Sequence, residues 1–268
     1  MLESTFGTAR PVVGMVHLPP LPGAPQYAGS REALLADARR DAGRLSDGGV
    51  DAVMLENFGD APFYPDDVPK HVVAMMTRAA GEVRDAVDVP VGVNVLRNDA
   101  NAAVSVAAAA AASFVRVNVH SGARLTDQGL IQGKAHETAR LQDRIDADVR
   151  VLADHEVKHS TAVGTESAGA ESIVDAVQRG LADGTIITGS GTGQGVERAD
   201  LEAARAAHDE FGLETPLFVG SGVTTESVGE ILSVADGVIV GTAFKEDGDV
   251  RGPVSEPRVR ELVEAAER

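Results

Sequence analysis

The chain has no cysteine and no tryptophan, and aromatic residues make up only 3% of its 268 positions. Without cysteine there is no disulfide and no thiolate metal site, so any chemistry must come from carboxylates, imidazoles, amides, hydroxyls and amines. Positive charge is also scarce: 24 Lys+Arg stand against 41 Asp+Glu, for a net charge of −17. An acidic surface repels phosphate backbones, so nucleic acid is not an expected partner. No apolar run reaches membrane-spanning length, and the alanine run from Ala107 to Ala112 reads as a packed helix. The start carries no basic-plus-apolar signal, so a cytoplasmic protein is expected. No Pro/Ser-rich linker interrupts the chain, which implies one domain over residues 1–268. Only 4 of the basic residues are lysine. Acidic excess with arginine preference suggests a high-salt cytoplasm, where dense carboxylates keep a surface hydrated. Each retained lysine then carries weight, Lys158 and Lys245 above all, at predicted strand ends.

What is present is a repeated alternation. Eight strand candidates, at residues 12–17, 52–56, 91–96, 114–120, 151–158, 185–189, 217–221 and 237–242, alternate with helical stretches such as 31–46, 68–87 and 196–211. That order implies parallel pairing and right-handed crossovers. Eight units in this length favour an α/β fold closed as a (β/α)8 TIM barrel over an open doubly wound sheet. No GxGxxG turn follows the first strand, which weakens a dinucleotide-binding version of the open sheet. Two long loops, residues 18–30 and 121–135, follow strands one and four on the side where barrels build sites. The first, rich in proline, reads as a rigid wall; the second, rich in glycine, reads as a movable loop.

Successive strand side chains point to opposite faces. In strands one to five one parity is apolar and the other places His17, Glu56, Asn94, Arg116, Asn118, His120, Asp154, Glu156 and Lys158 together. Buried charges occur paired, hydrated or at a working site. A structural salt-bridge network is the plain alternative, strongest for Arg116 and Asp154. As a site, the set offers His17, Glu56 and His120 as general acid or base, with Asp154 beside them. Lys158 is then a cationic clamp, a Schiff-base amine or a structural group, and nearby carboxylates favour the clamp. Mg²⁺ held by Glu56, Asp154 and Glu156 is a further alternative. No HExxH motif occurs, so zinc is not expected.

The late strands carry glycine turns: Gly220, Ser221 and Gly222 after strand seven, and Gly241 and Thr242, followed by Lys245, after strand eight. In this fold those two loops and a short following helix often hold a phosphate, because glycine lets backbone N–H groups approach an anion. Thr188 to Gly195, with Gly189 and Ser190, reads either as a further anion nest or as a solvated loop. Asn94 and Asn118 complete the polar set for substrate.

Several segments resemble one known family. Gly14 to Gly23, Glu56 to Asp60, Thr126 to Gly129, Val157 to Ser160, Val219 to Val223, and Asp236 to Thr242 with Lys245 are similar to the BtpA family, from near residue 11 to near residue 262. The resemblance implies a barrel of the ribulose-phosphate-binding type. It also brings a cyanobacterial association with photosystem I accumulation, through an extrinsic membrane-associated member. After Lys158-His159 this chain reads Ser160 to Glu166 without the proline or arginine the family pattern leads one to expect.

Three functions follow as expectations. The first is an isomerase, epimerase or aldolase/lyase acting on a small phosphorylated metabolite. The second is a non-catalytic assembly or biogenesis factor. The third is a Mg²⁺-dependent phosphohydrolase. A homo-oligomer is compatible with each.

Overall fold

In the computed structural model of the protein, residues 1–155, 160–163, 169–189 and 195–267 are described. The barrel strands are β1 (Val12–His17), β2 (Ala52–Glu56), β3 (Val91–Asn94), β4 (Phe114–Val117), β7 (Arg150–His155), β9 (Gly184–Thr188), β10 (Leu217–Gly220) and β11 (Gly237–Val240). They close in the order β1-β11-β10-β9-β7-β4-β3-β2, and every pair is parallel. The expected TIM barrel is the fold.

Helices α2 (Arg31–Asp47), α3 (Lys70–Arg84), α4 (Ala100–Ala109), α5 (Ala135–Arg144), α6 (Ala170–Val174), α7 (Arg198–Glu210), α8 (Val228–Leu232) and α9 (Glu256–Ala266) lie between and after the strands. Helix α2 starts where the Ser30 hydroxyl accepts from the Ala33 N–H at 3.1 Å. Its buried stripe of Leu34, Leu35, Ala38, Ala42 and Leu45 has the 3.6-residue period of a helix seated on a sheet. The alanine run is only partly helical: α4 ends at Ala109, and Ala111 turns with φ 52°.

Two apolar layers result from strand alternation. Val16, Val53, Leu55, Val93, Val115 and Val219 face the helices. Val13, Met15, Met54, Phe114, Leu152, Ile186, Phe218 and Ile239 fill the lumen. Lumen glycines make room for large neighbours: a Cβ on Gly92 would lie 2.2 Å from the Phe114 ring, and one on Gly237 2.6 Å from Phe218. A short helix, α1 (Leu2–Phe6), closes the base. Its Phe6 packs edge-on against Phe114 and Phe218 at 5.2 and 5.8 Å.

The strand starts are pinned by a repeated device. Asp51, Asp183 and Asp236 each stand just before a strand and accept the N–H of Val12, Val151 and Leu217, at 2.8 Å in each case. A carboxylate thus fixes register between neighbouring strands at the end opposite the site.

The glycine-rich loop after β4 is not an open loop. Residues Ala123–Thr126 (β5) and Gly129–Gln132 (β6) form an antiparallel hairpin, and Ser160–Ala162 (β8) adds a third strand. The turn at Asp127-Gln128 is fixed by Thr126, whose hydroxyl donates to the Gly129 carbonyl and accepts from the Gln128 N–H. Among the described residues no helix is long and apolar enough to cross a membrane.

Candidate active site

The C-terminal strand ends bring the polar parity to one level. His17 pairs with Glu56 in register, Glu56 with Asn94, and Asn94 with Arg116. Asn94 donates to Glu56 Oε1 at 2.8 Å, and His17 Nε2 lies 3.9 Å from Glu56 Oε2. The His17 ring also lies on Phe58, with centroids 4.7 Å apart, and its Nδ1 is 3.4 Å from the Val250 carbonyl. Two elements therefore aim the imidazole, one from each side.

Arg116 reaches the neighbouring strand β7. Its Nε and Nη2 donate to the two oxygens of Asp154 at 2.8 and 3.0 Å, and Asn118 adds a third donor at 2.8 Å. Burial alone would depress the guanidinium, but the charge and hydrogen bonds of Asp154, with the charge of Glu56, outweigh it and raise its pKa. Asp154 is thereby engaged by Arg116 and Asn118 rather than presented to a substrate. Asn118 Oδ1 is buried with no partner among the described residues.

One cavity of about 380 Å³ joins these groups to the late glycine turns. His17, Glu56 and Arg116 line one part, and Ser221, Gly222, Thr224, Gly241 and Thr242 line another. Ser221 and Gly222 are consecutive left-handed residues, with φ 79° and 66°, and they turn the chain along the rim. A non-glycine residue in that region is uncommon and belongs with functional turns. The helix after this turn, α8, begins at Val228. Thr224 and Ser227 close the turn between them, Ser227 Oγ accepting the Thr224 N–H at 3.0 Å.

A model of the BtpA family matches residues 8–268. The chain belongs to the BtpA family. An uncharacterised protein of Thermococcus kodakarensis is 45% identical over 257 residues, 96% of this chain and 95% of its own. The photosystem I biogenesis protein BtpA of Synechocystis is 41% identical over 264 residues, 98% of this chain and 90% of that protein. Among solved structures, the thiamine phosphate pyrophosphorylase of Pyrococcus furiosus superposes with a TM-score of 0.58 at 13% identity, covering 97% and 96% of the two chains. The N-(5'-phosphoribosyl)anthranilate isomerase of the same organism gives 0.56 at 14%, covering 96% and 98%. At such identity the likeness is one of fold.

In this BtpA-family barrel several expected site residues lie outside that cavity: Asn118 and Asp154 line a separate pocket with Ser121 and Arg124, and His120 and Lys245 are buried elsewhere. His120 does not enter the cavity. Strand β4 stops at Val117, because Asn98 takes both the N–H and the carbonyl of Val119 at 2.7 and 3.0 Å. His120 is then buried with Nε2 2.8 Å from the Gly180 carbonyl. Lys245 is not on the cavity wall: it is 1% exposed, and its Nζ is 2.9 Å from Asp41 on α2. Once the short 3-10 turn Thr242–Phe244 ends, the chain has left the lumen and Lys245 points to the helix layer.

Gly189 is buried behind Thr188, and Gly220 is 3.9 Å from Arg116 Nη2, measured from where a Cβ would stand. Glu156, Lys158 and Ser190 lie outside the described residues. Among the described residues no group of three acidic or histidine side chains converges as a metal site.

Sequence reading missed Phe58, Val250 and Arg258. Arg258 on α9 donates from Nε to the Ala243 carbonyl at 3.0 Å and brings a guanidinium to the wall that also carries Glu226 and Glu261. It lies beyond the last strand, where no parity rule applies. Phe58 had a signal, as the first apolar residue after Glu56-Asn57.

Proposed function

We propose that the chain is an enzyme acting on a small phosphorylated metabolite by acid/base chemistry of the isomerase, epimerase or lyase type. The observation that carries this reading is the shared cavity: an imidazole beside a carboxylate stands in the same space as two glycine turns from adjacent strands. The backbone of Ser221–Val223 and Gly241–Ala243 is the phosphate seat, where close approach costs no side-chain clash. Arg258 offsets the carboxylates of Glu226 and Glu261 on that wall. His17, oriented by Phe58 and Val250, moves a proton at the reacting carbon, and Glu56 takes the opposite protonation role. The Arg116 guanidinium supplies a fixed positive field for a developing enolate oxygen. The names of the P. furiosus pyrophosphorylase and isomerase, each containing a phosphorylated compound, agree with this reading at the level of fold.

Thermal-shift screening against phosphorylated metabolites tests it, because a ligand that binds only the folded state raises its melting temperature. Phosphorylated compounds should shift melting where their dephosphorylated forms do not. His17→Gln should keep the shift and lose turnover of the hit. Silence from every phosphorylated compound would end this reading.

One observation favours a second reading, an assembly factor like the named Synechocystis relative. Leu125 and Leu130 form a cross-strand pair on the hairpin outside the barrel, 57% and 54% exposed. For such a factor, Leu125→Ser with Leu130→Ser would abolish association with its partner while leaving melting unchanged.

A further inference from the structure

A second cavity, about 710 Å³, shares His17 and Phe58 with the first. Its other walls come from Pro19 and Pro20 of the β1–α2 loop, from α2, and from the segment around Arg251. His17 and Phe58 therefore border both spaces.

The charges of this cavity balance except at one point. Asp41 is matched by the buried Lys245 at 2.9 Å. Arg40 is matched by Asp37, and Arg44 by Glu246 at 3.3 Å with a bond to the Val254 carbonyl at 2.7 Å. Arg251 lines the same cavity and forms no ion pair among the described residues; only its backbone N–H is engaged, by Asp249 at 3.0 Å. In a chain of net charge −17, one uncompensated guanidinium facing a cavity is a specific provision. Its planar fork matches one carboxylate in a bidentate pair. A second phosphate dianion would need more positive charge than this wall leaves free.

We propose that the second cavity receives a carboxylate-bearing arm of the substrate, with Arg251 as its recognition residue, so that the substrate carries phosphate at one end and carboxylate at the other and reacts between them at His17. This rests on the phosphate reading of the first cavity.

The test is a binding series by calorimetry with matched pairs: glycerol phosphate beside phosphoglycerate, glucose phosphate beside phosphogluconate, and a sugar bisphosphate. Wild type is compared with Arg251→Gln, an exposed position whose unliganded melting temperature should not move. In each pair the carboxylate compound should bind the wild type about tenfold or more tightly, the worth of one charge-assisted bond. Arg251→Gln should erase that gain and leave the affinity for the plain phosphate ester unchanged. If both members bind equally, or the gain survives in Arg251→Gln, the carboxylate arm is refuted and the phosphate seat stands. If the bisphosphate binds best and loses most in Arg251→Gln, the arm is a second phosphate and the carboxylate class is overturned. If no phosphorylated compound binds at all, the phosphate reading falls and this inference falls with it.

Discussion

Gly241 and His17 face each other at the mouth of the barrel: a Cβ on Gly241 would stand 3.0 Å from the imidazole Cε1 and 3.5 Å from Nε2. They sit at the ends of neighbouring strands, β11 and β1. The glycine that shapes the proposed phosphate seat therefore also sets the place of the proposed acid/base group. Gly241→Ala should push the ring by a few tenths of an ångström. Overpacking of this kind costs about 1–3 kcal/mol, so the fold should survive. The His17 imidazole resonances should move and turnover should fall more than ligand affinity. Unchanged resonances would show that the two residues are not coupled.

The Arg116–Asp154 pair makes a prediction about stability rather than turnover. Both groups are buried, with side-chain exposures of 7% and 0%. Removing one partner leaves the other charge unpaired in the lumen, which typically costs about 3–5 kcal/mol. Asp154→Ala and Arg116→Ala should each lower the unfolding free energy from urea denaturation by that order. Arg116→Met with Asp154→Leu should lose less than the sum of the single changes. Additive losses would mean that the pair is not coupled.

How far the sequence could be read follows the same physics. Parity in β1 to β4 put His17, Glu56, Asn94 and Arg116 in register, with Asn118 and Asp154 on the same face two residues further along their strands, because valine on alternate positions leaves little choice of face. Parity failed at His120, where a side chain from another loop, Asn98, captures the Val119 backbone. No local pattern announces a contact across 21 positions. The hairpin β5–β6 was readable in principle, since Leu125-Thr126 and Leu130-Ile131 flank a two-residue turn; the glycines of that stretch concealed it as loop. The helix α1 plug was missed because a five-residue element has too few positions to show a period. Arg251 gains meaning only from a cavity, which is a property of the closed barrel.

Lys245 separates structure from ligand binding. It is buried against Asp41, whose other oxygen lies 3.3 Å from the Val254 N–H. Lys245→Met should leave the Asp41 carboxylate without its buried partner, with Arg40 at 3.6 Å remaining, and cost up to about 3–5 kcal/mol. Asp41→Leu added to Lys245→Met should recover much of that loss, measured by urea denaturation. In conditions where Lys245→Met is folded, its affinity for phosphorylated ligands should match the wild type. Selective loss of phosphate binding would return Lys245 to the phosphate seat.

Two buried histidines set the mild-acid limb of stability. Burial holds His120 below its ordinary value of 6.5, more strongly than the Gly180 carbonyl and Asp183 raise it. Burial and then Arg205 lower His208 from the same value, with Asp236, a hydrogen bond to Thr215 and Asp209 opposing. Between pH 6.5 and the depressed folded values, the unfolded chain binds more protons at these sites than the folded one. Their contribution to stability is therefore full above pH 6.5 and is lost as pH falls through that window. Each unit of depression is worth about 1.4 kcal/mol. Asp51, Asp60 and Asp99 are raised by burial above 3.8 and act in the opposite sense at lower pH, where the folded chain holds the extra protons. Melting temperature should fall from pH 7 through the histidine window. His120→Gln, which keeps a donor for Gly180, should flatten that slope by its own share and leave the His208 share in place. An equal slope in His120→Gln and wild type would show that His120 takes up its proton without opening the fold.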